Sequence, residues 1–294
     1  MDYQRFDGTE GTVFKYVFDF GDAIAEAVLY RYPDFITRTV LCISTQSGCP
    51  CACSFCGSGG KFIRNLTTDE ITQQVMTVFS DMGLEETVDH CGKLQIMFMS
   101  MGEPMLNFPS VSLAIVQLSC WYPNAQLLLS TIGVDNDDTF ASLIELSVAC
   151  DQVGLQFSLH SAVDETRDAL IPFARKMPLR KLRDAGLLWH RATRRPVFLN
   201  YCVPAEGIGD EERERILDLF SPAVFALTFS VICAADETHK DAGVRDLELL
   251  RTHEAFFLDK GYNVRTFDPN GQDDIGGGCG QLWYVQQWMR EHGR

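Results

Sequence analysis

The chain has 294 residues, 40 acidic against 25 basic side chains, and a formal charge of −15. Its 46% hydrophobic content excludes wholesale disorder, no apolar run approaches the ~18 residues of a spanning helix, and the acidic start Met-Asp-Tyr-Gln-Arg-Phe-Asp does not resemble a secretory signal. So acidic a surface repels nucleic-acid phosphates, although salt confines the repulsion to about 8–10 Å and leaves room for a local basic patch.

In chain order, Lys15–Phe20 and Ala25–Tyr30 predict a hairpin turned at Gly21-Asp22, and Thr39–Ser44 predicts a third strand that runs into a cysteine-rich loop. Thr67 or Thr68 is the expected N-cap of a helix reaching about Met82, with Asp69 and Glu70 in its first turn. Leu94–Met99 is nearly all apolar, as in a strand covered on both faces. Beyond it, helices near Ser110–Trp121, Asp137–Ala149, Pro178–Ala192, Asp210–Phe220 and Asp246–Leu258 are expected. They alternate with strands Gln126–Ser130, Gly154–Leu159, Val197–Val203, Val224–Val231 and Asn263–Phe267. The alternation predicts an α/β fold of right-handed βαβ units, about six of them, fewer than a closed TIM barrel needs. The expected division is a β extension over 1–38 and a barrel-like unit over 39–294, with a glycine-dense loop at Gly276–Gly280.

Four of the 11 cysteines fall between Cys49 and Cys56. Thiolates spaced as Cys49-x3-Cys53-x2-Cys56 can converge on one iron–sulfur cube, and three of them leave one iron open for chemistry. Spacing alone also allows a structural zinc site with Cys51 as fourth ligand, or a disulfide-prone loop. The loop follows the C-terminal end of the first core strand, the edge at which α/β proteins place their chemistry.

The cysteine triplet resembles that of radical S-adenosylmethionine (radical SAM) enzymes. The segments Leu41–Cys49, Arg64–Thr67, Met101–Pro104, Leu129–Thr131, Ser158–Ser161, Asp164–Asp168 and Cys279–Leu282 resemble the RlmN/Cfr family. That family methylates adenine carbons in ribosomal and transfer RNA. The resemblance runs from about Lys15 to Leu282 and implies a partial (β/α)6 radical SAM barrel with a short N-terminal β extension. It implies that Cys49, Cys53 and Cys56 hold a [4Fe–4S] cluster and that Gly102 and Glu103 hold the amino group of S-adenosyl-L-methionine. Ser130, Ser158, Leu159 and His160 match positions lining that cofactor's pocket, and Ser230 is the nearest substitute for an asparagine the family places there. By the same resemblance, Cys279 is methylated and carries its carbon to the substrate, and Cys42 releases the adduct by forming a disulfide with Cys279. Glu26 matches the proton acceptor. Cys91, Cys120, Cys150, Cys202 and Cys233 read as packing residues. The resemblance also implies a flavodoxin- or ferredoxin-type electron donor, while the packed cysteines suggest a reducing cytoplasm and the lack of a long apolar run predicts no membrane span.

Departures bear on substrate. The family's helical N-terminal domain has no counterpart in the dozen residues before the first expected strand. With the charge of −15, this favours a free nucleoside, nucleotide or other small heteroaromatic molecule. The alternative is RNA adenine methylation, with Arg175 to Arg195 supplying eight of the 25 basic residues as a phosphate-facing surface. Two further readings are a non-methylating radical reaction, such as sulfur insertion or sugar remodelling, and a vestigial RNA- or metal-binding module. Retention of all five mechanistic cysteines weighs against the last.

Overall fold

Strands β1 (Asp2–Asp7), β2 (Val13–Asp19), β3 (Ile24–Arg31) and β4 (Thr39–Ile43) form an antiparallel meander at one side of a ten-stranded sheet. The computed structural model describes residues 1–204, 206–231, 240–267, 275–278 and 281–294, without the side chains of 231 and 240–247. The expected hairpin is β2–β3. β1 is unheralded because its polar residues, exposed apart from half-buried Phe6, show no apolar alternation; it is held as an edge by pairing with β2.

The short strands β5 (Gln46–Ser47) and β6 (Arg64–Asn65) pair across the cysteine loop. They lead into α1 (Thr68–Asp81) and α2 (Glu85–Asp89). Thr67 is the N-cap: its hydroxyl accepts from Glu70 N while Glu70 accepts from Thr67 N, satisfying two end donors reciprocally. Then follow β7 (Leu94–Phe98), a 3₁₀ turn at Pro104–Asn107, α3 (Phe108–Trp121), β8 (Ala125–Thr131), α4 (Asp137–Ala149) and β9 (Val153–Ser158). The chain continues through α5 (Asp164–Leu170), α6 (Leu179–Thr193), β10 (Val197–Val203), α7 (Asp210–Leu219) and β11 (Phe225–Val231). It ends with α8 (Lys240–Asp259), β12 (Val264–Thr266) and α9 (Tyr284–Glu291).

From β4 the order β4-β7-β8-β9-β10-β11-β12 is parallel throughout, each neighbour reached by a helical crossover. The expected α/β partial barrel is the fold of this chain. Among the described residues β12 and β1 remain unpaired with each other, so the sheet is open. Residues of one parity, such as Ile96, Leu129, Phe157, Leu199 and Leu227, pack against the helices in the main core. The opposite parity faces the hollow and mixes polar and sulfur-bearing side chains, Cys42, Met97, Gln156, Asn200 and Thr228, with apolar Val40, Leu128 and Phe198. Among the described residues no helix is long and apolar enough to cross a membrane.

Candidate active site

The cysteine loop leaves β4 at Ser44, where the buried Gln74 amide of α1 accepts from Ser44 N (2.9 Å) and donates to Ser44 O (3.0 Å). Gly48 sits at φ +71°, and a Cβ there would lie 1.7 Å from Lys61 O, so only glycine lets the loop's two ends pass. Cys49 and Gly60 close the loop through Cys49 N to Ser58 O (3.1 Å) and Gly60 N to Cys49 O (2.8 Å). Cys49, Cys53 and Cys56 are half-buried and line one cavity of about 160 Å³, to which Cys51 also belongs. The Cys51 side chain hydrogen-bonds the Cys49 sulfur, which is the main reason the Cys49 pKa lies below its ordinary value; Cys51 itself is driven far up. The three thiols line one cavity and are the donor set that a [4Fe–4S] cluster with one open iron would take, although among the described residues no three His, Cys, Asp or Glu side chains are gathered closely enough to hold a single metal ion.

Opposite them, the loop after β7 turns at Gly102 (φ +99°), where a Cβ would sit 2.6 Å from Gln46 Cβ and 2.7 Å from its N. This tight pass delivers Glu103, whose N–H donates to Gln46 Oε1 at 2.8 Å. The Glu103 carboxylate is buried; it accepts from Thr131 Oγ1 (2.6 Å), Ile132 N (2.9 Å) and Met105 N (3.0 Å). Burial pushes its pKa up to about 7, against the opposing pull of these three neutral donors. A buried carboxylate held by neutral donors suits an incoming ammonium, the group that S-adenosyl-L-methionine carries at its amino-acid end.

Ser130 and Ser158 line the same cavity from adjacent strands, Ser130 accepting from Gln156 Nε2 at 3.0 Å. His160, at φ +57°, accepts from Cys202 N through Nδ1 (3.1 Å), and the Phe55 ring meets it edge-on at 4.8 Å. Burial, with nearby Arg167, pushes the His160 pKa down to about 3, so the ring is neutral with Nε2–H free to donate. Leu159 is different: its side chain lies in the main core, off the cavity wall, and its backbone N–H donates to Asn200 O at 2.9 Å. Ser230 is buried beside Cys202, 3.2 Å from its sulfur, and belongs to a second cavity.

Glu26 is fully buried and lies on neither cavity wall. It pairs with the equally buried Lys15 at 2.6 Å and accepts from Tyr284 N at 3.0 Å. Lys15 also donates to Gly276 O (3.0 Å) and lies 4.7 Å above the Tyr284 ring. The chain on both sides of Cys279 is thereby pinned: Tyr30 donates to Gly277 O, Ser58 to Leu282 O, both at 2.7 Å, and Gln286 to Gly57 O at 2.6 Å. Gly277, Gly278 and Leu282 join the wall of the first cavity, as does Cys42. Cys279, like Cys233, lies outside the described residues.

In the sequence Arg167 has no role beyond its place in the Asp164–Asp168 segment, Asn200 is unremarked and Cys202 reads as packing. Arg167 is buried and donates to four carbonyls, Ile132, Met177, Ser158 and Leu159, tying the ends of β8 and β9 together beneath the site. Asn200 and Cys202 line the cavity, and Cys202 is at the same time buried, as a packing residue is. Strand parity over Phe198, Asn200 and Cys202 was the available signal for both.

Comparison with protein-family models finds no match. The probable dual-specificity RNA methyltransferase RlmN of Bifidobacterium longum is 36% identical over 211 residues, 69% of this chain and 52% of that protein. The correspondingly named protein of Thermotoga petrophila is 30% identical over 285 residues, 95% of this chain and 76% of that protein. A radical SAM methyltransferase from Sphaerobacter thermophilus superposes with a TM-score of 0.75 at 25% identity, over 95% of this chain and 79% of that one. Against several of the curated relatives it matches, the chain spans about half their length.

Proposed function

The chain belongs to the RlmN-related family of radical S-adenosylmethionine methyltransferases, and from that premise we propose that it installs a methyl group on a ring carbon of a nucleobase. The observation that carries the reading is one cavity bounded by Cys49, Cys53, Cys56, the buried Glu103 carboxylate and Cys42. When bound, a [4Fe–4S] cluster and S-adenosyl-L-methionine supply reductive cleavage and a methyl group; the protein's part is to position them. Cys49, Cys53 and Cys56 hold the cluster, Glu103 holds the ammonium, and neutral His160 with Ser130 and Ser158 offers hydrogen bonds around the ligand. Cys279 is the methyl-bearing nucleophile and Cys42 the thiol that releases it. Glu26, held by Lys15 beneath the segments flanking Cys279, orients that segment in this reading rather than accepting a substrate proton.

The name of the relatives supports an RNA base as substrate, with adenine the base implied by the family resemblance. A free nucleotide is the second reading, favoured by the charge of −15 and by a second cavity inside the barrel. A reducing interior such as the cytoplasm suits so many free thiols, and a flavodoxin- or ferredoxin-type donor suits the cluster. The test is anaerobic reconstitution with S-adenosyl-L-methionine and reductant, then mass spectrometry of peptides and small products. Methyl on the Cys279 peptide is expected; 5′-deoxyadenosine without it sinks the methyl-synthase reading in favour of another radical reaction. Cys42→Ala is expected to accumulate a covalent protein–substrate adduct, and Cys279→Ala to form none.

A further inference from the structure

A second cavity of about 410 Å³ fills the hollow of the barrel and shares Tyr30, Cys42, Met99 and Asn200 with the first. Its size falls within the range of small-ligand sites, about 300–1,000 Å³. Two guanidinium groups enter it, each laid on an aromatic ring: Arg265 over Phe198 at 4.2 Å and Arg38 over Tyr32 at 4.9 Å. Arg38 Nε donates to Gln95 Oε1 at 3.1 Å. Stacking and a single amide contact orient both groups and leave other N–H donors for a ligand.

Lys93, half-buried next to β7, is the third cation of the group. Burial first, then the charges of Arg265 and Arg38, hold its pKa below the ordinary lysine value, and burial with Arg38 does the same to Arg265. No carboxylate of the described residues lies within ion-pair distance of any of the three. Asp268, Asp273 and Asp274 lie outside the described residues. In a chain of charge −15, two guanidinium groups lining one cavity, with Lys93 within Coulombic reach of both, form a site for an anion. The remaining wall, with the Gln156 and Asn200 amides and the Phe198 and Phe267 rings, suits a flat heteroaromatic group with polar edges.

We propose that this cavity binds a phosphorylated nucleoside, with the phosphate on Arg38 and Arg265 in the field of Lys93 and the base toward Cys42 and Met99. The direction of the base rests on the nucleobase reading above; the anion site does not. The same chemistry can arrive as a free mononucleotide or as a nucleotide carried in RNA.

Equilibrium dialysis of the reconstituted protein against the common ribonucleoside 5′-monophosphates and the matching nucleosides tests the assignment. At least one monophosphate is expected to bind about 10- to 100-fold more tightly than its nucleoside, with an advantage that shrinks as salt rises. Arg265→Gln and Arg38→Gln should each remove most of that advantage and leave nucleoside affinity in place. Arg265→Lys should restore part of it, and Arg215→Gln, on the exposed face of α7, should change nothing. Thermal melting of each variant separates lost binding from lost folding. A short single-stranded RNA that displaces the mononucleotide identifies the RNA-borne form; failure to displace it identifies the free form. Absence of nucleotide binding, equal affinity for nucleoside and monophosphate, or indifference to both arginine variants overturns the proposal. Methylation of Cys279 is read separately: present without phosphate-dependent binding, it leaves the methyl-synthase reading standing and removes this one. Phosphate-dependent binding without Cys279 methylation does the reverse.

Discussion

Among the described residues, two glutamates are buried, one in the N-terminal meander and one on the rim of the barrel, and they are provided for in opposite ways. Glu26 of β3 has its own cation, Lys15, at 2.6 Å, and both partners are also bonded to the C-terminal segment. Glu103, after β7, has three neutral donors. Burial raises the pKa of both. A carboxylate closed by an internal ammonium is a brace, whereas one held by hydroxyl and amide donors is a socket for an ammonium from outside. In the proposed reading the two sites divide the molecule into a region that supports and a region that binds.

The largest expected effect lies on the binding side. Cys53→Ala should lose essentially all of the reconstituted cluster by iron and sulfide analysis and by visible absorption. Cys51→Ala should keep most of it, because Cys51 stands as donor to the Cys49 sulfur. Equal loss in both variants would make Cys51 a ligand.

On the supporting side, Lys15→Met strands a fully buried carboxylate and should cost about 3–5 kcal/mol in chemical denaturation. The double variant Lys15→Met/Glu26→Leu should recover most of that loss, since an apolar pair of similar volume needs no counter-charge. If Lys15→Met is harmless, Glu26 is not a brace. Faster proteolysis near Gly276–Tyr284 should accompany the single variant, because Lys15 and Glu26 hold that segment's backbone.

Glu103→Gln should behave in the reverse sense, weakening S-adenosyl-L-methionine binding by about 1.5–3 kcal/mol in calorimetry with little loss of fold stability. The sign of the pH dependence follows from a folded pKa of about 7 above an ordinary 4.5. The native state retains this proton where the unfolded chain has released it, so stability falls as pH rises from 4.5 through about 7. Denaturation midpoints of the unliganded protein should show this decline, and Glu103→Gln should flatten it. Affinity for the ammonium ligand should rise through the same window as the carboxylate ionises.

The smallest effect sharpens the contrast further. Thr131→Val removes the 2.6 Å hydroxyl contact that favours ionised Glu103, so the midpoint of the binding–pH curve should move upward. Calorimetry across pH reads that shift, and an unchanged midpoint would mean that Ile132 N and Met105 N suffice to hold the charge.

Much of the fold and of the cluster loop is legible in the sequence itself. The alternation of apolar strands and amphipathic helices is a local periodicity, and it carried the parallel order from Thr39 to Thr266. The cysteine spacing and the Gly102-Glu103 pair are also local, since short loops determine what their side chains can reach. The strand β1 and the helices α2, α5 and α9 were not anticipated: α2 and α5 are short, and β1 has no apolar alternation of its own. Glu26 shows the sharper limit. Its position in the chain pointed to chemistry, yet its partner Lys15 is 11 residues away and becomes a neighbour only through the β2–β3 hairpin, while Tyr284 arrives from the far end of the chain.

What the sequence determined by itself was the fold class, the cluster loop and the order of the motifs, because each is encoded in runs of neighbouring residues. Tertiary structure alone decided which buried carboxylate has an internal cation and which has only neutral donors, that Arg167 locks four carbonyls, and that Arg38 and Arg265 meet on one cavity with Lys93 in Coulombic reach. Desolvation and Coulomb interaction depend on which groups meet in space, and those meetings join residues that the chain keeps far apart.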